Sequence, residues 1–162
     1  MKLLHLALAL PLAVACSGSA DPDQLTRDGV TALNSGKAEE AYTLLDKAVA
    51  AMEPTNPKYG QAAVNRCRAL AHTDAAKAKD EFLALAGAHS SIIEERDYEM
   101  VADTLRSRKK YEEAIGVLAA GMERFSESPR LVALRDAMGK EAEASGDSAA
   151  LDAIKGLGYV GD

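Results

Sequence analysis

Beyond residue 16 the side chains with chemistry to offer are few: His72 and His89, the pair Ser90-Ser91, the acids Glu94, Glu95, Asp97, Glu99 and Asp103, and a lone thiol at Cys67. A metal centre needs His, Cys or carboxylates at ligand spacing, and neither histidine has such neighbours in sequence. His89-Ser90-Ser91 sets hydroxyls beside an imidazole, but sequence neighbours do not make a catalytic triad, and no strand-turn-helix elbow surrounds them. Ser90 or Ser91 reads better as the N-cap of a following helix. The five acids could suggest paired carboxylates for acid-base work, yet acids crowd the first turn of a helix for electrostatic reasons alone. Gly156, Gly158 and Gly161 lack the strand and spacing of a phosphate-cradling loop. Arg106, Arg108, Lys109 and Lys110 form a basic cluster where helix carbonyls favour cations, with an anionic partner as the alternative. No aromatic residues interleave there to stack bases, so single-stranded nucleic acid is not expected. No catalytic residue, cofactor, metal or small-molecule substrate is expected.

The other cysteine stands in a different setting. Lys2 is followed by an apolar run from Leu3 to Val14, ending Ala13-Val14-Ala15-Cys16. A charged start, an apolar middle and small residues before a cut describe an export signal. Small residues followed by cysteine resemble the lipobox of bacterial lipoproteins. That resemblance implies cleavage before Cys16, a diacylglycerol on its thiol and an acyl chain on the new amino terminus. An ordinary secretory signal cut nearby is the alternative. The stretch is shorter than the ~20 residues needed to span a bilayer, and Pro11 interrupts it. Each buried methylene of an acyl chain is worth ~0.8 kcal/mol, so three chains would anchor the protein durably. Aspartate after the cysteine favours retention in the inner membrane in such lipoproteins, so with Ser17 there the resemblance implies the outer membrane, facing the periplasm.

Removing fifteen of the 162 residues leaves 147, the size of one ordinary domain. Loss of Lys2 from 19 basic residues against 25 acidic leaves a net charge of -7. Nucleic acid and anionic lipid surfaces are therefore poor partners for the chain as a whole. With Cys16 lipidated, Cys67 has no internal partner; it reads as a small core residue, or as a thiol that pairs between chains. Residues 16–23 have the composition of a lipidated flexible tether.

The body, residues 24–162, is expected to be all-α. Ala41, Leu44, Leu45, Ala48, Val49 and Met52 lie on one helical face, as do Tyr111, Ala114, Ile115, Leu118, Met122 and Phe125. Lys37-Ala38-Glu39-Glu40-Ala41 is echoed by Lys110-Tyr111-Glu112-Glu113-Ala114. Ala78 with Phe82 falls midway, and a weaker copy runs from Gly146-Asp147 to Leu151. The anchors 41, 78, 114 and 151 are separated by 37, 36 and 37 residues. Such self-similarity predicts a solenoid of antiparallel helix hairpins, three to four units stacked into a common core.

Here the chain resembles the tetratricopeptide repeat family, with Leu25, Gly29, Gly36, Ala41, Leu45 and Ala48 at that family's large, small, turn, small, large and small positions. Tyr98, Ala102, Leu105, Tyr111, Ala114 and Leu118 match again, with Gly121 as the later small residue. The second unit is degenerate: fitting Tyr59 and Ala63 requires about three extra residues before its second helix. The resemblance places repeats over residues 24–127 and a degenerate repeat or cap over 128–162, where Leu157, Tyr159 and Val160 form an apolar tail. It also implies a groove lined by the first helix of each unit: Arg96, Glu99, Asp103 and Arg106 in the third, and Asp23, Thr26, Val30 and Asn34 in the first. The expected function is that of a noncatalytic envelope lipoprotein, an adaptor or assembly factor whose groove takes a protein or peptide partner. The alternatives are a membrane-tethered spacer and an exported helical enzyme.

Overall fold

The computed structural model describes residues 21–161. The expected signal over residues 1–15, the lipidation site Cys16 and most of the tether lie outside these residues. The described chain forms eight α-helices: α1 (Pro22–Asn34), α2 (Ala38–Ala50), α3 (Tyr59–Leu70), α4 (Ala75–Ala88), α5 (Glu95–Ser107), α6 (Tyr111–Arg124), α7 (Pro129–Ser145) and α8 (Ser148–Gly156). Helix α1 starts before the expected boundary at Gln24. Pro22 supplies a preset φ at the first helical position, and the Asp21 carboxylate accepts from the Asp23 N–H at 3.1 Å. The same device starts α4, α7 and α8, where Asp74, Ser128 and Asp147 accept from the backbone of Lys77, Leu131 and Ala150.

The turns repeat as the sequence does. The N–H of Lys37, Lys110 and Asp147 donates to the carbonyl of the residue five earlier, Ala32, Leu105 and Ala142, at 2.9, 3.0 and 3.1 Å. Before each stands a residue in the left-handed region: Gly36 (φ 77°), Lys109 (φ 59°) and Gly146 (φ 70°). The second turn differs, with Asp74 N–H donating four residues back to Leu70 at 2.8 Å. That departure matches the degenerate spacing around Thr73.

Neighbours in sequence pack together: α1 on α2, α2 on α3, α5 on α6, and α7 on α8, while α3 also meets α5 and α5 meets α7. Ala41, Ala78 and Ala114 are fully buried, as are Leu45, Phe82 and Leu118 four residues on. The small positions permit close helix crossings. A Cβ at Gly29 would lie 2.6 Å from Leu45 Cγ, and one at Gly121 would lie 2.9 Å from Tyr98 Cβ. Phe82, Tyr98 and Phe125 form an edge-to-face ladder, with ring centroids 5.0 and 5.9 Å apart, at the heart of the largest core cluster.

The fourth copy is rotated. Leu151, the expected anchor, is only half-buried, whereas Ala150 and Ile154 are buried. Helix α8 is nine residues long, and a one-residue shift turns its buried face by about 100°, from 3.6 residues per turn. The tail closes the end, with Tyr159 buried to 6 % exposure and Val160 93 % exposed.

Candidate interaction groove

Three cavities line up along the odd-numbered helices. The first, about 440 Å³, lies between α1 and α3 and is lined by Asp23, Thr26, Val30, Lys58 and Gln61, among others. The second, about 500 Å³, includes Gln61, Asn65, Arg68, Arg96 and Met100 from α3 and α5. The third, about 630 Å³, includes Arg96, Glu99, Met100 and Asp103 from α5 with Arg130, Ala133 and Leu134 from α7. Gln61 borders the first two cavities, and Arg96 and Met100 border the last two. The result is one surface running across four helices.

Of the residues expected to line a groove, Arg96, Glu99 and Asp103 meet in the third cavity, and Asp23, Thr26 and Val30 in the first. Arg106 does not line these cavities. It reaches across to α7, donating to Asp103 at 2.6 Å and to Glu141 at 2.5 Å. Asn34 is likewise outside the first cavity's lining. The individual residues that α3 and α7 contribute were not named from the sequence. A signal for Gln61, Asn65 and Arg68 exists in their spacing of 4 and 3 residues on one helical face. It is hidden by the misfit of the second unit.

Charges around the groove are mostly paired. Arg130 reaches Glu99 at 3.1 Å and Glu95 at 3.6 Å, and Lys58 pairs with Asp23. Asp97 accepts the Glu94 N–H at 2.9 Å as half of a capping box. Glu94 is therefore the N-cap of α5, not Ser90 or Ser91, which lie in the preceding turn. Ser90 instead offers its carbonyl to the Arg124 guanidinium. The acid run at the start of α5 thus serves capping and ion pairing. Burial pushes the Asp97 carboxyl above its usual pKa, opposed by the backbone hydrogen bond and the neighbouring Arg96.

Arginines divide by partner. Burial presses Arg66 down, but Glu81, Cys67 and Asp46 outweigh it, with both carboxylates at 3.1 Å, so its pKa ends raised. In Arg68, also half-buried, desolvation wins over the attraction of Asp103 and the pKa is lowered. Its partners are neutral: Asn65 Oδ1 at 2.8 Å and Thr104 Oγ1 at 3.2 Å.

The remaining chemical candidates are placed away from the groove's cavities. Cys67 is fully buried, and desolvation pushes its thiol up to about 12. The His89 ring stands edge-on to Tyr59, with centroids 5.4 Å apart. His72 borders a cavity with Lys37, Glu39 and Arg108, and burial followed by Arg108 and Arg68 lowers its pKa. Among the described residues no group of three His, Cys, Asp or Glu could hold a metal ion, and no helix is long and apolar enough to cross a membrane. In the basic cluster Arg108 is the C-cap that follows α5, Lys109 takes the left-handed turn position and Lys110 precedes α6. Compared with known proteins, the chain matches no family model, no curated protein and no solved structure.

Proposed function

We propose that this chain is a noncatalytic adaptor: a solenoid of three to four tetratricopeptide-like hairpins, held at a bacterial envelope membrane by lipid on Cys16, that captures a protein partner along its groove. In this reading α1, α3, α5 and α7 are the first helices of successive units and α2, α4, α6 and α8 the second. The observation that carries it is the continuity of the three cavities, which share Gln61, Arg96 and Met100 at their junctions. A surface of that length suits an extended segment or a helix of another protein better than a compact substrate. The lining combines apolar surface, with Met100, Ala133 and Leu134, and charged or amide groups such as Arg96, Gln61 and Asn65, so it offers both apolar contact and hydrogen bonds.

The test is quantitative co-purification from detergent-solubilised envelopes of native protein, a Cys16→Ala form and a Glu99→Ala/Asp103→Ala form. The expected result is one stoichiometric partner enriched with the native protein and reduced at least tenfold with the groove form, with Cys16→Ala lost from the membrane fraction. Membrane retention of Cys16→Ala removes the anchor, and absence of a partner from the native protein removes the adaptor in favour of a spacer.

A further inference from the structure

We propose that the cavity between α3 and α5 receives an acidic side chain of the partner segment, gripped between the guanidiniums of Arg68 and Arg96. This rests on the adaptor reading and names the chemistry of its ligand.

The three cavities differ in how their charges pair. In the cavity between α1 and α3, Lys58 pairs with Asp23 and Arg27 faces Asp21 at 3.9 Å. In the cavity between α5 and α7, Arg130 pairs with Glu99. The middle cavity is lined by Arg68 and Arg96 together with Glu94 and Asp97, yet among the described residues neither arginine closes an ion pair there. Arg96 is exposed, with the Asp97 carboxyl as its neighbour and no side-chain hydrogen bond among the described residues. Arg68 is half-buried, with only neutral hydrogen-bond partners. The acids nearby are engaged: Asp97 and Glu94 close the α5 capping box, and Asp103, near enough to favour the Arg68 charge, is held by Arg106 at 2.6 Å.

A half-buried guanidinium has lost water without gaining a counter-ion, so a carboxylate entering beside it recovers that loss. Asn65 holds the Arg68 fork by accepting Nη1–H at 2.8 Å and is itself 6 % exposed, so the fork is fixed in advance. Gln61, exposed at the cavity edge, adds a carboxamide that makes no hydrogen bond among the described residues. The cavity opens into the groove on both sides, so an internal Asp or Glu of a passing segment fits without a chain end.

The probe is a short glycine-serine peptide, blocked at both ends, carrying two glutamates, compared with peptides carrying glutamine or lysine at the same places. Binding is followed by NMR through the arginine Nε–H signals. A charged hydrogen bond is worth about 1.5–3 kcal/mol, so the glutamate peptide is expected to bind about tenfold or more tighter than the glutamine one. Arg96→Gln, at an exposed site, should abolish that preference, Arg68→Gln should do the same, and Arg27→Gln should leave it intact. The Arg68 and Arg96 signals should shift and the preference should fall with salt. Equal binding of glutamate and glutamine peptides, no binding of the glutamate peptide, or a preference that survives both substitutions overturns the proposal. Capture of a native partner that withstands both arginine substitutions also overturns it while leaving the adaptor reading in place. Failure of the unsubstituted protein to capture any native partner counts against the adaptor reading instead.

Discussion

The ring of Tyr159 lies flat against Gly139, so close that a Cβ on residue 139 would meet three ring carbons at 2.6 to 2.7 Å. The tail is thereby latched on α7, with the Tyr159 hydroxyl 3.1 Å from Glu143 and the Leu157 carbonyl 3.3 Å from Arg135. Gly139→Ala should displace the ring and cost about 1–3 kcal/mol, as overpacking does. Denaturant unfolding measures the loss, and hydrogen exchange should show it first over residues 157–161. In a Tyr159→Ala background the same change should cost little; equal costs in both backgrounds would show that the two residues do not meet.

Lys109 occupies a left-handed turn position that glycine fills at 36 and 146. A side chain there carries a steric cost that glycine avoids, offset in part by glycine's greater freedom when unfolded. Lys109→Gly is expected to stabilise by about 0.5–1 kcal/mol, whereas Gly36→Ala should destabilise by about 1 kcal/mol. Thermal unfolding compares the two, and a lower Tm for Lys109→Gly would contradict the strain.

Cys67 keeps its proton in the folded chain up to about 12, above the 9.0 of a free thiol. Its contribution to stability is present below pH 9 and is lost as pH rises toward the folded value, because only the unfolded chain ionises in between. Within that window the wild type should lose up to about 1.4 kcal/mol per pH unit relative to Cys67→Ala. Parallel stability curves for the two proteins would refute it. The native thiol should also resist a disulfide reagent that labels it at once in denaturant, which makes pairing between folded chains at Cys67 unfavourable.

Asp97 titrates the same way for the same reason. Its folded pKa is raised by burial, so protonation favours the folded state; the benefit is complete below the ordinary carboxylate value of 3.8 and fades as pH rises through the folded value. Asp97→Asn can still accept the Glu94 N–H but cannot titrate. The stability of wild type minus that of Asp97→Asn should therefore decline as pH rises from below 4 toward neutrality. A difference that grows with pH would mean that the capping role of the charged form prevails.

Arg106, by contrast, is expected to act in stability alone. Its links to Asp103 and Glu141 tie α5 to α7 on a partly exposed face, where such pairs contribute about 1 kcal/mol or less. Arg106→Gln should lower stability by that amount and leave partner capture unchanged within twofold. A loss of capture without loss of stability would restore it to the groove.

The buried faces of the helices and the places where the chain turns were legible in the sequence, because both are local. Apolar residues at helical spacing name the inward side, and the anchors 41, 78 and 114 are all fully buried where the repeat put them. The turn at Gly146-Asp147 is local in the same way, with Asp147 capping α8 through a residue three positions on. What Arg106 and Arg68 do was not legible, because it is decided by partners far along the chain. Arg106 meets Glu141 from 35 residues away and Arg68 meets Thr104 from 36 away, so the stagger of neighbouring helices determines which cations are neutralised. The same packing rotated α8 by one residue and brought α3 and α7 into the groove. Sequence alone settled the all-helical body and its buried faces, through 3.6-residue geometry and turn chemistry; tertiary packing alone decided which of the groove's charges close ion pairs.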